Sequence, residues 1–393
     1  MEQQQVIAKT LFGFEDLLSE ELSGLGIGEI TKATRAVSFK ADQRQLYLVN
    51  LWSRLALRFM VPLKSFPCSD EQQLYDGVRA IAWEDYMDVD DTLAVDAVVN
   101  RSNLDHSLFV SLKSKDAIVD RFRDKYGKRP SVDLARPSLR INIHLSGNNV
   151  TVSLDSSGDS LHKRGYRGMQ GEAPLNEVLA AGMVQLSGWN KKDPLYDFMC
   201  GSGTILVEAA MLAGNRAPGL LRNEFGFERW KNFDAGLWDK LRDEAGASAK
   251  DIQAVVMGGD KSHMVIRKAR ENATAAGLGN AVRFEAMSFE EFRPEEKEGV
   301  LITNPPYGMR LSAEDLLGLY KKMGDVFKKH FSGHIAWVLT ANSDAAKNIG
   351  LRPSRKIQLY NGSLECRYLK FEMYSGTKKI HKLTPRQETD ERD

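Results

Sequence analysis

The sequence is poor in cysteine and contains no long hydrophobic run. Its three cysteines, Cys68, Cys200 and Cys366, are odd in number and far apart in a chain of 393 residues. Such a set gives neither a disulfide framework nor a paired zinc-binding motif, and it is typical of a reducing compartment. No run of about 18 apolar residues could cross a bilayer, and the initial MEQQQ lacks the basic start of a signal peptide. We therefore expect a cytoplasmic protein without membrane attachment.

The chain also lacks a net excess of charge, because 54 Lys and Arg residues are balanced by 53 Asp and Glu residues. The charges are unevenly distributed: residues 1–100 carry nine basic and 16 acidic residues, whereas residues 101–170 carry 13 and seven. A basic block can attract phosphate groups, although many such blocks are solvated surfaces. With 42% hydrophobic residues and the length of two or three ordinary domains, most of the chain should fold.

The first 170 residues mix helical and strand patterns. Helical spacing of apolar residues predicts helices over Leu11–Leu25, Leu46–Met60 and Leu108–Phe122. Alternation predicts strands over Val37–Phe39, Leu93–Val99, Leu139–Leu145 and Val150–Leu154, with a hairpin turn between the last two. The first 60 residues thus form a compact α+β region, and the basic block lies on a helix and a hairpin.

Beyond residue 172, predicted strands alternate with helices. The strands are Pro194–Met199, Ile252–Met257, Ala281–Phe284 and Gly299–Thr303, and the helices are Leu175–Leu186, Ile205–Leu212 and Met264–Ala276. Alternation of this kind predicts a doubly wound, mostly parallel sheet whose ligand lies at the carboxyl ends of the strands. The insertion Asn215–Lys250 carries five aromatic residues, which we expect to form a packed flap. Residues 376–393 lack apolar anchors and are expected to form a flexible tail.

A glycine turn follows the first of these strands, in the segment Asp197-Phe198-Met199-Cys200-Gly201-Ser202-Gly203-Thr204. Glycines allow a tight turn and close approach of a ligand to the backbone, and the helix behind them offers free N–H groups. A dinucleotide site would need a small residue at position 206, where the chain has leucine. Asp260 ends the next strand, where it could accept hydrogen bonds from ribose hydroxyls or cap the following helix.

The segment Asn304-Pro305-Pro306-Tyr307 comes directly after the strand Gly299–Thr303. An exocyclic amine is a poor nucleophile because its lone pair is delocalised into the base. The amide of Asn304 and the carbonyl of Pro305 could accept its hydrogens, and Tyr307 could stack on a flipped base. A simple proline turn is the alternative, and the order of glycine turn, acid and proline loop argues against it.

These motifs resemble those of a known family. DFMCGSGT and NPPY, with GGD between them, resemble a class I S-adenosylmethionine-dependent methyltransferase that acts on amino groups. Upstream, LKSKDAIVDRF at 112–122, RPSVD at 129–133 and SLDSSGDSLHKRGYR at 153–167 resemble a THUMP RNA-binding domain. Together with APLNEVLAAG at 173–182, the chain is similar to bacterial large-subunit rRNA guanine-N2 methyltransferases over about residues 8–375.

The resemblance implies an α/β Rossmann-like methyltransferase domain over residues 166–375, preceded by a ferredoxin-like region (1–60) and a THUMP domain (61–165). Asn304, Pro305, Pro306 and Tyr307 would hold the target amine. S-adenosylmethionine would contact Asp197, Cys200, Gly201, Ser202, Gly203 and Asp260, with Ser288 or the backbone near Met287 holding its adenine. Relatives commonly carry acids where this chain has Ser262 and Ser288. The expected RNA contacts are Lys113, Lys115, Arg121, Arg164 and Arg167.

The expected reaction is methylation of the N2 amine of a guanosine in 23S rRNA, with structured rRNA or a large-subunit assembly intermediate as partner. Methylation of adenine N6 in RNA or DNA remains open, because the asparagine and proline loop fits any planar amine. A protein glutamine is a further target in principle, and a non-catalytic RNA-binding assembly factor is the alternative outside enzymes. His162 and His263 lack ligand-spaced partners, so we expect no metal site.

Overall fold

The computed structural model describes residues 3–168, 175–306 and 312–374, and the chain forms two compact units. Among these residues, the first unit comprises 3–168, 176–182 and 215–250, and the second comprises the remainder.

The strands are β1 (Gln4–Thr10), β2 (Thr31–Ala33), β3 (Ala36–Ala41), β4 (Ala56–Pro67), β5 (Thr92–Asn100), β6 (Ser131–Val132), β7 (Leu139–Ser146), β8 (Asn149–Asp155), β9 (Leu195–Asp197), β10 (Val256–Asp260), β11 (Arg283–Ala286), β12 (Val300–Thr303), β13 (Ile335–Thr340), β14 (Arg355–Asn361) and β15 (Leu364–Glu372).

The helices are α1 (Glu15–Gly24), α2 (Gln43–Trp52), α3 (Glu71–Arg79), α4 (Ser107–Tyr126), α5 (Glu177–Leu186), α6 (Thr204–Ala213), α7 (Ala235–Ala247), α8 (His263–Ala275), α9 (Ala313–His330) and α10 (Ser343–Lys347). Short 3-10 turns cover Trp83–Asp85, Pro218–Leu221, Gly226–Arg229 and Gly279–Ala281.

The predicted domain boundaries at residues 60, 165 and 375 stay predictions, and the expected tail over 376–393 lies outside the described residues.

The first unit is built on one sheet with the strand order β2-β3-β1-β4-β8-β7-β5-β6. The predicted hairpin is present, because β7 and β8 pair antiparallel from Ile141 opposite Leu154 to Ser146 opposite Asn149. Gly147 takes the turn with a φ of 58°, a left-handed conformation that glycine adopts without steric cost.

The prediction of one helix over Leu46–Met60 is wrong in its second half. Helix α2 ends at Trp52, and the chain then continues as β4 between β1 and β8. Ser53 is extended, with φ −66° and ψ 128°, and its hydroxyl accepts the N–H of Ala56 at 3.0 Å. Between Leu55 and Met60 only Arg58 interrupts the apolar residues, and periodicity does not distinguish so short a run in a strand from the continuation of a helix.

The insertion 215–250 packs within the first unit, as expected of a flap. The Phe227 ring stacks on Tyr47 of α2, with centroids 4.3 Å apart and planes inclined by 18°. The Trp238 ring meets the Phe227 ring edge-on at 5.0 Å. All three side chains are at most 3% exposed, so they form an aromatic core.

The second unit contains a sheet with the strand order β11-β10-β9-β12-β13-β15-β14. Neighbouring strands from β11 to β13 are parallel, and β15 runs antiparallel to β13 and β14. The predicted doubly wound, mostly parallel fold is confirmed. The strand order reverses between β9 and β12, and ligands of such sheets bind at that point, outside the carboxyl ends of the strands.

Candidate active site

The carboxyl ends of β9, β10 and β12 open into one cavity of the second unit, with a volume of about 960 Å³. Asp197 ends β9, Asp260 ends β10, and Asn304 follows β12, so parallel pairing brings together three side chains that are far apart in the sequence. Cys200, Gly201, Ser202, Ser288 and Pro306 also line the cavity. The volume suits a ligand of cofactor size.

The glycine turn forms the floor between β9 and α6. Gly201 and Gly203 have φ angles of 54° and 81°, which an L side chain adopts only with strain. A Cβ on Gly203 would also lie 2.9 Å from the Phe284 ring. The turn therefore requires these glycines for its shape, and Gly201 leaves open space above its backbone.

Asp260 links this turn to β10. One carboxylate oxygen accepts the Gly201 N–H at 3.3 Å, and the other accepts the Ser262 N–H at 3.0 Å. The alternative role of Asp260 as cap of α8 is wrong, because Ser262 caps that helix through the Val265 N–H. Asp260 remains partly exposed at the cavity, where a carboxylate can accept further hydrogen bonds from hydroxyls.

Asp197 is 1% exposed and accepts the Met199 N–H at 3.1 Å. Burial, with a smaller contribution from the nearby charge of Asp260, raises the pKa of this carboxyl to about 7. Burial likewise raises the pKa of the Cys200 thiol well above its ordinary value. Cys200 is therefore a neutral thiol that shapes the cavity, and we assign it no nucleophilic role.

The amide of Asn304 is the most informative polar group of the site. Its side-chain oxygen is buried and has no hydrogen-bond partner among the described residues. A buried acceptor without a partner costs about 1–3 kcal/mol, and in a cavity it is explained by a ligand that donates to it. Pro305 is buried and Pro306 is exposed beside it. The predicted base-stacking residue, Tyr307, lies outside the described residues.

Ser288 lies at the cavity wall, where its hydroxyl donates to a Glu291 carboxylate oxygen at 3.1 Å. The serine oxygen thus keeps its lone pairs for an external donor such as an amine. The Met287 N–H donates to the carbonyl of Asp260 at 3.1 Å, and both Ser288 and the backbone near Met287 stay predictions for the adenine contact. The predicted cofactor contacts therefore lie together at one cavity, with Gly203 packed beneath it.

Sequence reasoning missed several charged residues of the cavity. They are Lys261, Glu290, Glu314, Asp315 and Lys322. With Asp197 and Asp260, the lining carries five carboxylates and two lysines, a balance that favours a cationic ligand when the acids are ionised. Helix α9, which supplies three of them, was not predicted, although Leu316, Tyr320, Met323 and Phe327 follow helical spacing.

The predicted RNA contacts lie on and after α4, and the structure distinguishes among them. The Lys113 ammonium lies 5.4 Å from the Tyr75 ring centre, and Lys115 pairs with Asp116. Arg121 forms two 2.8 Å hydrogen bonds with Glu84, and Arg167 pairs with Glu177 at 3.0 Å. These four stay predictions.

Arg164 requires a correction. It is only 2% exposed, and its guanidinium donates to the carbonyls of Leu161 and Arg54. A side chain held in this way cannot reach the RNA backbone, so Arg164 is a structural residue. The expectation of an RNA contact is wrong because a basic sequence motif does not show which of its members are buried.

The described residues contain no cluster of three or more His, Cys, Asp or Glu side chains that could hold a metal ion. No helix within the described ranges is long and apolar enough to span a membrane.

Three family models match the chain. Residues 164–370 match the RMKL-like methyltransferase domain, residues 68–155 the THUMP domain, and residues 5–60 the RlmL ferredoxin-like domain. The chain therefore belongs to the RMKL-like methyltransferase family, and its second unit has the fold of S-adenosylmethionine-dependent methyltransferases. Within that family it carries the ferredoxin-like and THUMP domains in front of the methyltransferase domain.

The similar proteins agree with this assignment. The ribosomal RNA large subunit methyltransferase K/L of Syntrophotalea carbinolica is 44% identical over 374 residues, which are 92% of this chain and 52% of that protein. The chain thus spans about half the length of this curated relative. A Synechocystis protein, named as a candidate RNA methyltransferase, is 41% identical over 92% of this chain and 95% of its own length.

Solved structures show the same architecture over nearly the whole chain. A candidate methyltransferase crystallised with SAH is 32% identical, with a TM-score of 0.86, and covers 96% of this chain and 100% of its own. A predicted N6-adenine-specific DNA methylase from Listeria monocytogenes is also 32% identical, with a TM-score of 0.84 over 95% and 97% of the two chains.

Proposed function

We propose that this protein transfers a methyl group from S-adenosylmethionine to the exocyclic N2 amine of a guanosine in large-subunit rRNA. The observation that carries the proposal is the buried, unpaired amide oxygen of Asn304 in the same cavity as Asp260. The names of the K/L relatives support large-subunit rRNA as the substrate. In the cell, the partner would be structured rRNA or an assembly intermediate in the cytoplasm.

The chain's residues divide into two groups by role. Asp260 accepts hydrogen bonds from ribose hydroxyls, the Gly201 turn allows the ligand backbone to approach, and Ser288 accepts from the adenine amine. Asp197, when ionised, adds negative charge near the cationic cofactor. When bound, S-adenosylmethionine supplies an electrophilic methyl group.

The target amine is held by the loop after β12. The amide oxygen of Asn304 accepts one amine hydrogen, and the Pro305 carbonyl accepts the other. These hydrogen bonds orient the nitrogen lone pair for in-line attack, and such positioning can lower a barrier by about 7–11 kcal/mol. Tyr307 would stack on the base. The loop needs no strong general base, because the amine proton can leave to water after transfer.

A methyl-transfer assay tests the proposal. The protein is incubated with labelled S-adenosylmethionine and unmodified 23S rRNA, with duplex DNA as a control, and the products are digested to nucleosides. We expect labelled N2-methylguanosine from the rRNA alone. Labelled N6-methyladenosine would overturn the target base, in line with the name of the Listeria structure. RNA binding without any label would favour the non-catalytic assembly factor.

The Asn304→Ala variant tests the role of the amide. We expect it to abolish methyl transfer while leaving RNA affinity within a few fold and preserving the thermal shift with S-adenosylmethionine, since the cofactor contacts remain. The matched control is Asn348→Ala, an exposed asparagine of the same unit, which should retain full activity. Loss of the thermal shift in Asn304→Ala would show a general defect of the cavity and contradict the assigned role.

A further inference from the structure

A second cavity lies wholly within the first unit, and its lining is strongly basic. Its volume is about 420 Å³, and it is bounded by residues 135–140, the turn 158–165 and residues 222–229 of the insertion. It contains two carboxylates, Asp159 and Glu224, and five cations: Arg136, Arg140, Lys163, Arg222 and Arg229. We call it the basic cavity. It shares no residue with the candidate active site.

Two walls of the basic cavity, the turn 158–165 and the insertion, lie in direct backbone contact. A Cβ on Gly165 would lie 2.1 Å from the carbonyl oxygen of Leu221. A Cβ on Gly226 would lie 2.5 Å from the carbonyl oxygen of Asp155. Side chains at these positions would separate the turn 158–165 from the insertion, so the two glycines allow the cavity to form.

Arg222 places a buried positive charge in this wall. It is 9% exposed and donates to four main-chain carbonyls, those of Ser157, Asp159, Ser160 and Lys163, at 2.8–3.2 Å. The carboxylates of Asp159 and Asp155 act on this charge from nearby, and each of them forms its own ion pair with another residue, Lys163 and Arg58. Its Nε is buried without a partner. Carbonyl dipoles satisfy the donors but leave the net positive charge in place.

The rim supplies donors that remain accessible. The Arg136 guanidinium uses Nε and one terminal nitrogen to hold Glu224, which leaves the other terminal nitrogen for a further acceptor. Glu224 is shared with Arg229, so one carboxylate compensates two guanidinium groups. Lys163 is 61% exposed in its side chain and forms only a loose 3.4 Å ion pair with Asp159. Exposed pairs of this kind are weak and easily exchanged for another anion.

We infer that the basic cavity binds a phosphate group of the RNA backbone, with Arg136 and Lys163 as the donors at its rim. Guanidinium forks and ammonium groups are the usual protein ligands of phosphate oxygens, and the buried charge of Arg222 adds a fixed positive potential behind them. This inference rests on the proposed rRNA methyltransferase function and adds Arg136 and Lys163, which are not among the RNA contacts expected from the sequence. Arg222 donates to the Lys163 carbonyl, and Arg164 donates to the Leu161 carbonyl two residues earlier, so both arginines support the backbone that carries the Lys163 side chain.

The test uses the full-length double variant Arg136→Ala/Lys163→Ala and a transcribed fragment of 23S rRNA. Affinity is measured at several salt concentrations. Because each phosphate contact contributes about 0.7–0.9 to the magnitude of the slope of log K against log salt, we expect that magnitude to fall by about one and the Kd to rise at low salt. The single variant Arg136→Lys, which keeps the charge, should keep the slope.

The matched control is Lys32→Ala/Lys128→Ala, which removes two exposed, ion-paired lysines of the same unit outside the cavity. It should leave the slope unchanged. Both double variants should keep the wild-type thermal shift with S-adenosylmethionine, which confirms folding. A wild-type slope in Arg136→Ala/Lys163→Ala would overturn this inference alone. Failure of the wild-type protein to bind the fragment would overturn the proposed function together with it.

Discussion

At the scale of single residues, burial decides what a motif residue can do. Arg164 and Lys163 are neighbours in one basic motif, yet Arg164 is 2% exposed while the Lys163 side chain is 61% exposed. The sequence could identify the basic segment 162–167, because its charged residues lie close together along the chain. It could not identify the exposed member, because the burial of Arg164 depends on Arg54 and other residues more than 100 positions away.

Asp197 gives a pH prediction at the same scale. Its pKa is raised from 3.8 to about 7, so between these values the folded state holds a proton that the unfolded state has released. The free energy of unfolding therefore falls as pH rises, by about 1 kcal/mol per pH unit from this residue, until the pH passes about 7. Asp197→Asn should remove that part of the pH dependence.

Urea unfolding of both proteins at pH 5, 6, 7 and 8 measures this difference. The exposed Asp193→Asn serves as the control and should follow the wild-type curve. Parallel curves for wild type and Asp197→Asn would show that the carboxyl is already ionised throughout the range. They would also remove the basis for a raised pKa of Asp197.

At the scale of secondary structure, elements determined by local sequence could be predicted, whereas an element determined by its position in the sheet could not. The hairpin of β7 and β8 was predictable because its turn chemistry and alternation are local. Strand β4 was not, because its apolar run is explained by its place between β1 and β8, which the sequence does not display. The roles of the candidate-site motifs stay predictions, but their position was predictable because each directly follows a strand that the sequence also predicts.

The pairing of β4 with β8 predicts one large stability effect. Asp155 at the end of β8 is 1% exposed and forms an ion pair with Arg58 of β4. Its other oxygen accepts the N–H groups of Ser157 and Gly158 at 3.0 and 3.2 Å. The Arg58 side chain is 28% exposed, so the main loss in Asp155→Ala is the buried acceptor of these two N–H groups, and the free energy of unfolding should fall by about 1–3 kcal/mol.

Denaturant unfolding of the variant at pH 7 measures the loss. Asp159→Ala, which removes an exposed carboxylate four residues away, should change the free energy of unfolding by less than about 0.5 kcal/mol. The double variant Arg58→Met/Asp155→Leu should lose less than Asp155→Ala, since Arg58 is then not left without its partner and the leucine fills the space of the carboxylate. Equal losses in Asp155→Ala and Asp159→Ala would contradict a stabilising role of the ion pair.

At the scale of the whole molecule, neither unit is a continuous stretch of chain. The insertion leaves the methyltransferase sheet after α6, packs in the first unit, and returns before β10. The family models place the methyltransferase match over 164–370, which includes that insertion. Sequence order alone would therefore assign residues 215–250 to the wrong unit, and only their aromatic spacing indicated that they pack.

The insertion also predicts the behaviour of a truncated chain. A fragment ending at residue 168 keeps the first sheet but loses Phe227 and Trp238, whose rings cover Tyr47. It also loses Arg222, whose guanidinium donates hydrogen bonds to four main-chain carbonyls between Ser157 and Lys163. Since deleting one buried aromatic side chain costs about 3–5 kcal/mol, we expect the fragment to unfold at much lower urea concentration and to bind a hydrophobic dye.

Phe227→Ala in the full chain isolates the aromatic contribution, because it leaves Arg222 and the chain connections intact. It should destabilise the first unit, while Phe12→Ala, at a phenylalanine that is 41% exposed, should have little effect. The proposed cofactor contacts lie in the second unit, so Phe227→Ala should still show the thermal shift with S-adenosylmethionine wherever that unit remains folded. A fragment as stable as the first unit of the full chain would mean that the insertion packs on a domain that is already complete.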